Sequence, residues 1–193
     1  MIQHLDGKKI ILASNSPRRR ELLSGLGLEF EVRTLQGIDE SYPGNLVDED
    51  IPKHISAQKA AAYLPTLADN ELLITADTIV YLDRKVLGKP KDADTAKEML
   101  RQLSGKTHEV ITGVTIATKD RQKTFAVTSQ VTFANLTDEE IDYYIVNYRP
   151  FDKAGAYGIQ EWIGYIGVTR LEGSYFNVMG LPIQRLYTEL KVW

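Results

Sequence analysis

The chain has 193 residues, of which 43% are hydrophobic and 25% are charged, and its formal net charge is −3 at pH 7. This composition is typical of a globular protein with one sizeable core, and the negative net charge argues against a broad nucleic-acid-binding surface. The chain has no cysteine, which excludes disulfides, thiol catalysis and zinc–thiolate sites and fits a reducing compartment. There is no signal-peptide pattern at the start and no apolar run near the ~20 residues that span a bilayer. We therefore expect a cytoplasmic protein without membrane or nucleic-acid partners.

The first patterned stretch predicts a strand, a turn and a helix. Ile10–Ala13 is a short apolar run typical of a buried strand, and Ser16 and Pro17 suit the N-cap and first position of a helix. Arg18–Arg20 then fall in the first helical turn, where the helix dipole disfavours positive charge. Free N–H groups, serine hydroxyls and arginines together favour an anion site, with phosphate as the preferred ligand. The candidate binding residues are the serines, among them Ser14, and the arginines Arg18, Arg19 and Arg20. The alternative is that the arginines reach into solvent or pair with Glu21, Asp39 or Glu40.

Two further segments carry charged residues that are candidates for a site. The loop Gly37–Ser41 contains Asp39 and Glu40, which are either solvated acids or ligands of a cation. Residues from about 48 to 64 predict a helix, because Pro52 lies near its start and Pro65 stops it. Lys59 falls near the inner face of this helix and is either a functional cation or a surface lysine with a buried stem.

The segment Glu71–Leu82 is almost wholly apolar, which predicts a central strand covered on both faces. Asp77 lies in its middle. A lone buried carboxylate is unfavourable, so it needs a cation, hydrogen bonds or a proton. Asp77 is therefore the strongest candidate for a functional residue.

The rest of the chain alternates further strands and helices. The predicted features are a turn presenting Lys89, a helix at 93–103 capped by Asp92, a hairpin of strands 107–118 and 123–133, a helix from 137 to 147 opened by a capping box, a loop at 148–160, a strand at 165–171 and a last helix starting at Pro182. The order β-α-β-α-β-β-α-β-β-α-β-α predicts an α/β protein with a mixed sheet flanked by helices. No linker separates domains, so residues 1–193 are expected to form a single domain.

Six motifs occur in a fixed order along the chain. They are Leu12–Arg19 (LASNSPRR), Ala76–Val80 (ADTIV), Leu87–Pro90 (LGKP), Ser104–His108 (SGKTH), Lys153–Gln160 (KAGAYGIQ) and Gly173–Pro182 (GSYFNVMGLP). Together they resemble the Maf family of nucleoside triphosphate pyrophosphatases. The resemblance implies a two-lobed α/β fold with a central cleft, similar to inosine triphosphate pyrophosphatases. It also implies hydrolysis of a nucleoside triphosphate to the monophosphate and pyrophosphate, with Mg²⁺ or another divalent cation such as Mn²⁺.

The resemblance also implies roles for individual residues. Arg18 and Arg19 would bind phosphate, Lys59 and Lys89 would do so from the opposite wall, Glu40 would hold the metal, Asp77 would be the general base or a metal ligand, and Gln160 would read the base. The segment Tyr157–Gln160 looks like the branch that acts on dTTP and UTP, whereas the other main bacterial branch prefers 7-methyl-GTP.

The residues themselves agree with this chemistry. A triphosphate brings about four negative charges, so its site needs several cations and a metal. Asp77 is the best candidate to orient the water that attacks the α-phosphorus. Two other functions remain open: a nucleotide- or phosphopeptide-binding regulator without turnover, for instance of cell division, and a purine-directed enzyme on the same fold. The oligomeric state is also open, and the resemblance allows a homodimer.

Overall fold

The structure is a computed structural model that describes Leu5 and residues 7–193. Within these residues the strands are β1 (Lys9–Leu12), β2 (Phe30–Val32), β3 (Glu71–Leu82), β4 (Lys85–Leu87), β5 (Thr107–Ala117), β6 (Gln122–Phe133) and β7 (Val168–Glu172). The α-helices in the same range are α1 (Pro17–Ser24), α2 (Asp50–Tyr63), α3 (Ala93–Leu103), α4 (Asp138–Tyr148), α5 (Trp162–Gly167), α6 (Tyr175–Met179) and α7 (Ile183–Lys191). None of the helices in this part of the chain is both long and apolar enough to cross a bilayer.

The strands form a mixed sheet in the order β2-β1-β3-β5-β6-β7, and β4 pairs with β3 beside this path. Strand β1 is parallel to both neighbours, so that Ile10 lies opposite Phe30 on one side and Leu72 on the other. Strand β4 is antiparallel to β3, and β7 is antiparallel to β6. Parallel neighbours need crossover connections, which α1 and α2 provide. The predicted α/β class with a mixed sheet is confirmed.

The predicted hairpin is also present, as strands β5 and β6. The N–H of Thr118 donates to the carbonyl of Arg121 at 2.8 Å and closes the turn. Along the two strands the hydroxyls of Thr107 and Thr132 share a hydrogen bond of 2.8 Å, and those of Thr115 and Thr124 share one of 2.9 Å. Residues later in β5 therefore lie opposite residues earlier in β6, as expected for an antiparallel pair.

The chain divides into two compact units. Unit 1 contains the described residues up to Asp77, Thr112–Val127 and Gly180–Trp193; unit 2 contains Thr78–Ile111 and Thr128–Met179. Each unit has its own apolar cluster, with Ile11, Tyr63 and Leu73 in unit 1, and Leu100 and Phe133 in unit 2. The single two-lobed domain and its cleft stay predictions.

Helix starts follow the local chemistry that predicted them. The hydroxyl of Ser16 accepts from the N–H of Arg19 at 3.4 Å, and the carboxylate of Asp92 accepts from the N–H of Thr95 at 2.8 Å. Thr137 and Glu140 form the reciprocal capping box at the start of α4. These side chains satisfy N–H groups that have no partner inside the helix.

The predicted strand at 165–171 is wrong in its first three residues. Residues Trp162–Gly167 form α5, and β7 begins only at Val168. Aromatic and β-branched residues favour a strand locally, but Ile163 is buried in the unit 2 core and tertiary packing decides the conformation. The short helix α6 was likewise not predicted from the sequence.

Candidate active site

The start of α1 carries the predicted anion-binding residues. Arg19 is held by two main-chain carbonyls: its Nε donates to Gly180 at 2.8 Å and its Nη1 donates to Ala76 at 2.9 Å. The second bond places the guanidinium next to Asp77 along β3. Burial lowers the pKa of Arg19, the charge of Asp77 opposes this shift, and Arg18 lowers it further.

Ser14 lies in the turn before α1 and is buried. Its Oγ accepts from the N–H of Ser16 at 3.2 Å, so it organises the turn that leads into the helix. Arg20 is exposed on the same turn of helix, and its Nη2 donates to the carbonyl of Asn15 at 3.3 Å.

Asp77 and Glu40 converge on the ammonium group of Lys59. Lys59 Nζ lies 2.8 Å from Asp77 Oδ1 and 3.2 Å from Glu40 Oε1. The side chains of Lys59 and Asp77 are 13% and 14% exposed, whereas that of Glu40 is 56% exposed. The sequence pattern indicated that Asp77 would need a partner, and Lys59 supplies the cation. Asp77 is therefore not a lone buried carboxylate.

Buried hydroxyls fix α2, and with it Lys59, on the sheet. Ser56 Oγ shares a hydrogen bond of 3.0 Å with Thr115 Oγ1, and Thr75 Oγ1 donates to the carbonyl of Ser56 at 2.7 Å. Thr75 precedes Asp77 by two residues on β3, and Ser56 precedes Lys59 by three on α2. The bonds between α2 and β3 thus set the distance between the lysine and the carboxylate. No sequence pattern singled out these hydroxyls.

A glycine allows α2 to approach the sheet this closely. A Cβ added to Gly113 of β5 would lie 2.3 Å from the carbonyl carbon and oxygen of Pro52 and 2.6 Å from the N of Lys53. Only a residue without a side chain fits at this contact, because the neighbouring atoms belong to the main chain of α2 and cannot rotate away.

The loop that carries Glu40 is anchored by Tyr63 of α2. The Tyr63 hydroxyl accepts from the N–H of Leu35 at 2.8 Å and donates to the carbonyl of Arg33 at 3.2 Å. Asp39 is used within the loop, because its carboxylate accepts from the N–H of Ser41 at 2.8 Å. Of the two loop acids, Glu40 is therefore the one that reaches Lys59.

The donors at this place fit a divalent cation only in part. Glu40 and Asp77 both direct a carboxylate oxygen at the ammonium group of Lys59. Carboxylate oxygens are the kind of ligand that Mg²⁺ prefers. Among the described residues there is no group of three or more His, Cys, Asp or Glu side chains that could hold a metal ion. Protein-bound Mg²⁺ commonly has one or two carboxylates and takes its remaining ligands from substrate phosphates and water.

The remaining predicted residues, Lys89 and Gln160, belong to unit 2. Lys89 is exposed, and the carbonyl of the preceding Gly88 accepts from the N–H of Gly155 at 3.0 Å. Gln160 is half-buried, and its Oε1 is buried without a hydrogen-bond partner among the described residues. An unpaired buried acceptor is unfavourable, so this oxygen is suited to accept from a ligand.

The structure thus brings together several of the predicted residues within unit 1. These are Ser14, Arg18, Arg19, Glu40, Lys59 and Asp77. Their roles stay predictions. The arrangement combines cationic side chains at a helix start with a pair of carboxylates, which is suited to a polyanionic ligand and its counter-ion.

Comparisons with known proteins agree on one family. The family model described as "Maf-like protein" matches residues 9–193. A protein of Phocaeicola vulgatus named dTTP/UTP pyrophosphatase is 63% identical over 191 residues, which cover 99% of each chain. A protein of Porphyromonas gingivalis with the same name is 54% identical over 193 residues, covering 99% of this chain and 97% of its own.

A solved structure shares the fold. The Staphylococcus aureus Ham1 protein superposes with a TM-score of 0.51 at 18% identity, covering 94% of this chain and 100% of its own. At this identity the likeness concerns the fold alone, and it supports the predicted α/β class.

Proposed function

The chain belongs to the Maf family, and from this membership and the residues gathered in unit 1 we propose that it is a nucleoside triphosphate pyrophosphatase acting on dTTP and UTP. The products are the nucleoside monophosphate and pyrophosphate. The observation that carries the proposal is the convergence of Asp77 and Glu40 on Lys59, together with Arg19, which is bonded to the residue before Asp77. The cellular role that we propose is removal of unwanted nucleotides from the pool, in the cytoplasm.

In the proposed reaction a water molecule attacks the α-phosphorus. Asp77 accepts a hydrogen bond from this water and takes its proton as the new P–O bond forms. The bond between the α-phosphorus and the bridging oxygen breaks, and pyrophosphate leaves with the negative charge. Arg18, Arg19 and Lys59 stabilise that charge electrostatically, so no covalent intermediate is needed.

Glu40 and Asp77 are the residues proposed to hold a divalent cation. Bound there, Mg²⁺ would neutralise phosphate charge and orient the triphosphate. Lys59, which bonds to both carboxylates in the structure, would then contribute its charge to the phosphates. Lys89 is proposed to contribute a further positive charge to phosphate binding.

Gln160 is proposed to read the base. Uracil and thymine present the acceptor O4 beside the donor N3–H, and a carboxamide offers the matching donor and acceptor. Cytosine presents the reverse pattern and fits only if the carboxamide flips. The Oε1 of Gln160 is buried and has no hydrogen-bond partner within Leu5 and residues 7–193, which supports this role because such an oxygen is suited to accept from N3–H.

The experiment that tests the proposed function is a pyrophosphate-release assay over dTTP, UTP, CTP, ATP and GTP, with and without Mg²⁺. We expect the highest kcat/KM for UTP and dTTP, weaker activity on CTP, the weakest on ATP and GTP, and loss of activity without a divalent cation. Preference for purines would instead assign a purine-directed enzyme. Tight nucleotide binding without pyrophosphate release would support a regulator.

The prediction for Arg18 concerns the binding of pyrophosphate rather than turnover. Pyrophosphate at a hundredfold excess over Kd should stabilise the parent by about 2.7 kcal/mol and raise its Tm by roughly 5–10 °C. Arg18→Ala should lose most of this shift, because it removes a cation at the proposed phosphate site. Arg20→Ala is the matched control on the same turn and should keep it. Equal shifts in parent and Arg18→Ala, measured by calorimetry, would place the anion elsewhere.

The base-reading prediction uses Gln160→Glu. A carboxylate cannot donate to O4 and repels it, so binding of the UTP transition state should weaken by roughly 1–3 kcal/mol. The measurement is kcat/KM for UTP, CTP and GTP. Gln102→Glu, which adds the same charge on the exposed side of α3, is the control. If Gln160→Glu keeps the parent's preference for UTP, another part of the protein reads the base.

A further inference from the structure

A buried polar cluster in unit 2 lies beside Gln160. Lys153 Nζ lies 2.8 Å from Asp152 Oδ1 and 3.1 Å from Glu161 Oε1. The Tyr144 hydroxyl donates to Glu161 Oε2 and accepts from the N–H of Gly158 at 3.0 Å. Tyr144 is fully buried, and Lys153 is buried as well. A chain of hydrogen bonds and ion pairs therefore runs from Lys153 through Glu161 and Tyr144 to the main chain of Gly158.

The cluster and Gln160 pack against the same glycine. A Cβ added to Gly158 would lie 3.0 Å from Lys153 Cε, 3.0 Å from Glu161 Cδ and 3.1 Å from Gln160 Nε2. The carboxamide of Gln160 and the charged pair thus share one small space at the Cα of Gly158. A displacement of this glycine would change the space that is open to the carboxamide.

The hydrogen bonds of the cluster persist at neutral pH. Burial raises the pKa of Tyr144 above its ordinary value of 10.0, and its bond to Glu161 raises the pKa further. The phenol therefore stays protonated and keeps donating to the carboxylate. Its oxygen remains available to the Gly158 N–H. The main chain of the loop is held by a side chain from α4, a different element of the fold.

We propose that Tyr144, Glu161 and Lys153 are positioning residues for base selection. Tyr144 holds the main chain of Gly158, and Glu161, paired with Lys153, holds the Tyr144 hydroxyl, so that together they fix the space that the carboxamide of Gln160 occupies. This inference rests on the proposed function, in which Gln160 reads uracil and thymine. Discrimination against cytosine depends on which end of the carboxamide faces the base, and a side chain that rotates freely accepts both patterns. Selectivity for uracil over cytosine therefore depends on this network of residues, which holds Gly158 in place.

The first experiment compares Tyr144→Phe with Tyr148→Phe. The first variant removes the hydroxyl that holds Gly158; the second removes a hydroxyl from the ring stacked on Tyr144 at 5.2 Å. The ratio of kcat/KM for UTP to that for CTP should fall about tenfold in Tyr144→Phe, the scale of one mispositioned polar contact. It should stay at the parental value in Tyr148→Phe. An equal loss on both nucleotides in Tyr144→Phe would overturn the proposal, because that indicates a merely structural role.

Two substitutions of Glu161 separate the effect of its charge from the effect of its hydrogen bond to Tyr144. Glu161→Gln keeps an acceptor for the Tyr144 hydroxyl, whereas Glu161→Ala removes it. The UTP-to-CTP ratio should therefore fall less in Glu161→Gln than in Glu161→Ala. Equal ratios in these two variants and the parent would overturn the proposal, and this comparison remains decisive if Tyr144→Phe does not fold.

A second readout does not need turnover. Amide hydrogen exchange at Gly158 should become faster in Tyr144→Phe, and the ratio of UMP to CMP affinity, measured by NMR titration, should fall with it. Unchanged exchange at Gly158, or faster exchange with an unchanged affinity ratio, would overturn the inference. If the parent releases no pyrophosphate from UTP or dTTP, the proposed function fails, but the affinity ratio still decides the inference.

Discussion

Replacing Asp77 with asparagine should lower kcat by ~10²–10⁴-fold, the range expected when a general base is lost. The protein should still fold, because asparagine can accept the hydrogen bond from Lys59, which also keeps its ion pair with Glu40. Binding of pyrophosphate should persist, since the arginines at the start of α1 are unchanged. The measurements are single-turnover hydrolysis of UTP and calorimetric binding of pyrophosphate.

The matched control for this substitution is Asp69→Asn. Asp69 also pairs with a lysine, Lys119, at 2.6 Å, but its side chain is 92% exposed. This variant should retain parental turnover, because the Asp69 carboxylate lies in solvent and bonds to Lys119, which is not one of the candidate site residues. Near-normal hydrolysis by Asp77→Asn would assign the base to another residue.

Among the substitutions proposed for this protein, replacing Arg33 with methionine should give the largest loss in the free energy of unfolding. Arg33 forms two parallel hydrogen bonds to Glu71, of 2.9 and 2.7 Å, and Glu71 is only 5% exposed. Without Arg33 the carboxylate keeps the N–H of Ala68 at 3.0 Å and the ammonium of Lys9 at 3.8 Å. Neither group replaces the two close hydrogen bonds from the guanidinium, so a poorly compensated charge stays buried and we expect a loss of about 3 kcal/mol at pH 7, measured by urea unfolding.

The same pair predicts how stability depends on pH. The hydrogen bonds from Arg33 lower the pKa of Glu71 from 4.5 to about 2. Between these values the unfolded chain binds more protons than the native protein, so stability rises with pH. The contribution of Glu71 is fully present above pH 4.5 and is lost as the pH falls to 2. In Arg33→Met this part of the pH dependence should shrink.

A double substitution separates the effect of the buried charge of Glu71 from the effect of packing around residue 33. In Arg33→Met with Glu71→Leu no charge is left buried, so much of the lost stability should return. If the double variant is no more stable than Arg33→Met, the loss comes from packing around residue 33 rather than from the poorly compensated carboxylate of Glu71.

Short-range patterns determined much of the local structure. The Ser16–Pro17 pair and the box Thr137–Glu140 start helices in the structure where the sequence predicted, because a cap bonds to an N–H within three residues. The apolar run around Asp77 indicated a buried strand and a carboxylate that needs a partner. Spaced motifs also indicated the family, which the family model confirms.

Only the tertiary structure decided which groups meet. The partner of Asp77 is Lys59, 18 residues away, and the carbonyl that holds Arg19 Nε belongs to Gly180, 161 residues away. Strand register and the packing of α2 on the sheet set such contacts, and local propensity carries no information about them. For the same reason the sequence predicted a strand over residues 165–167, where α5 ends, and it did not indicate that Tyr144 of α4 holds the loop of Gln160.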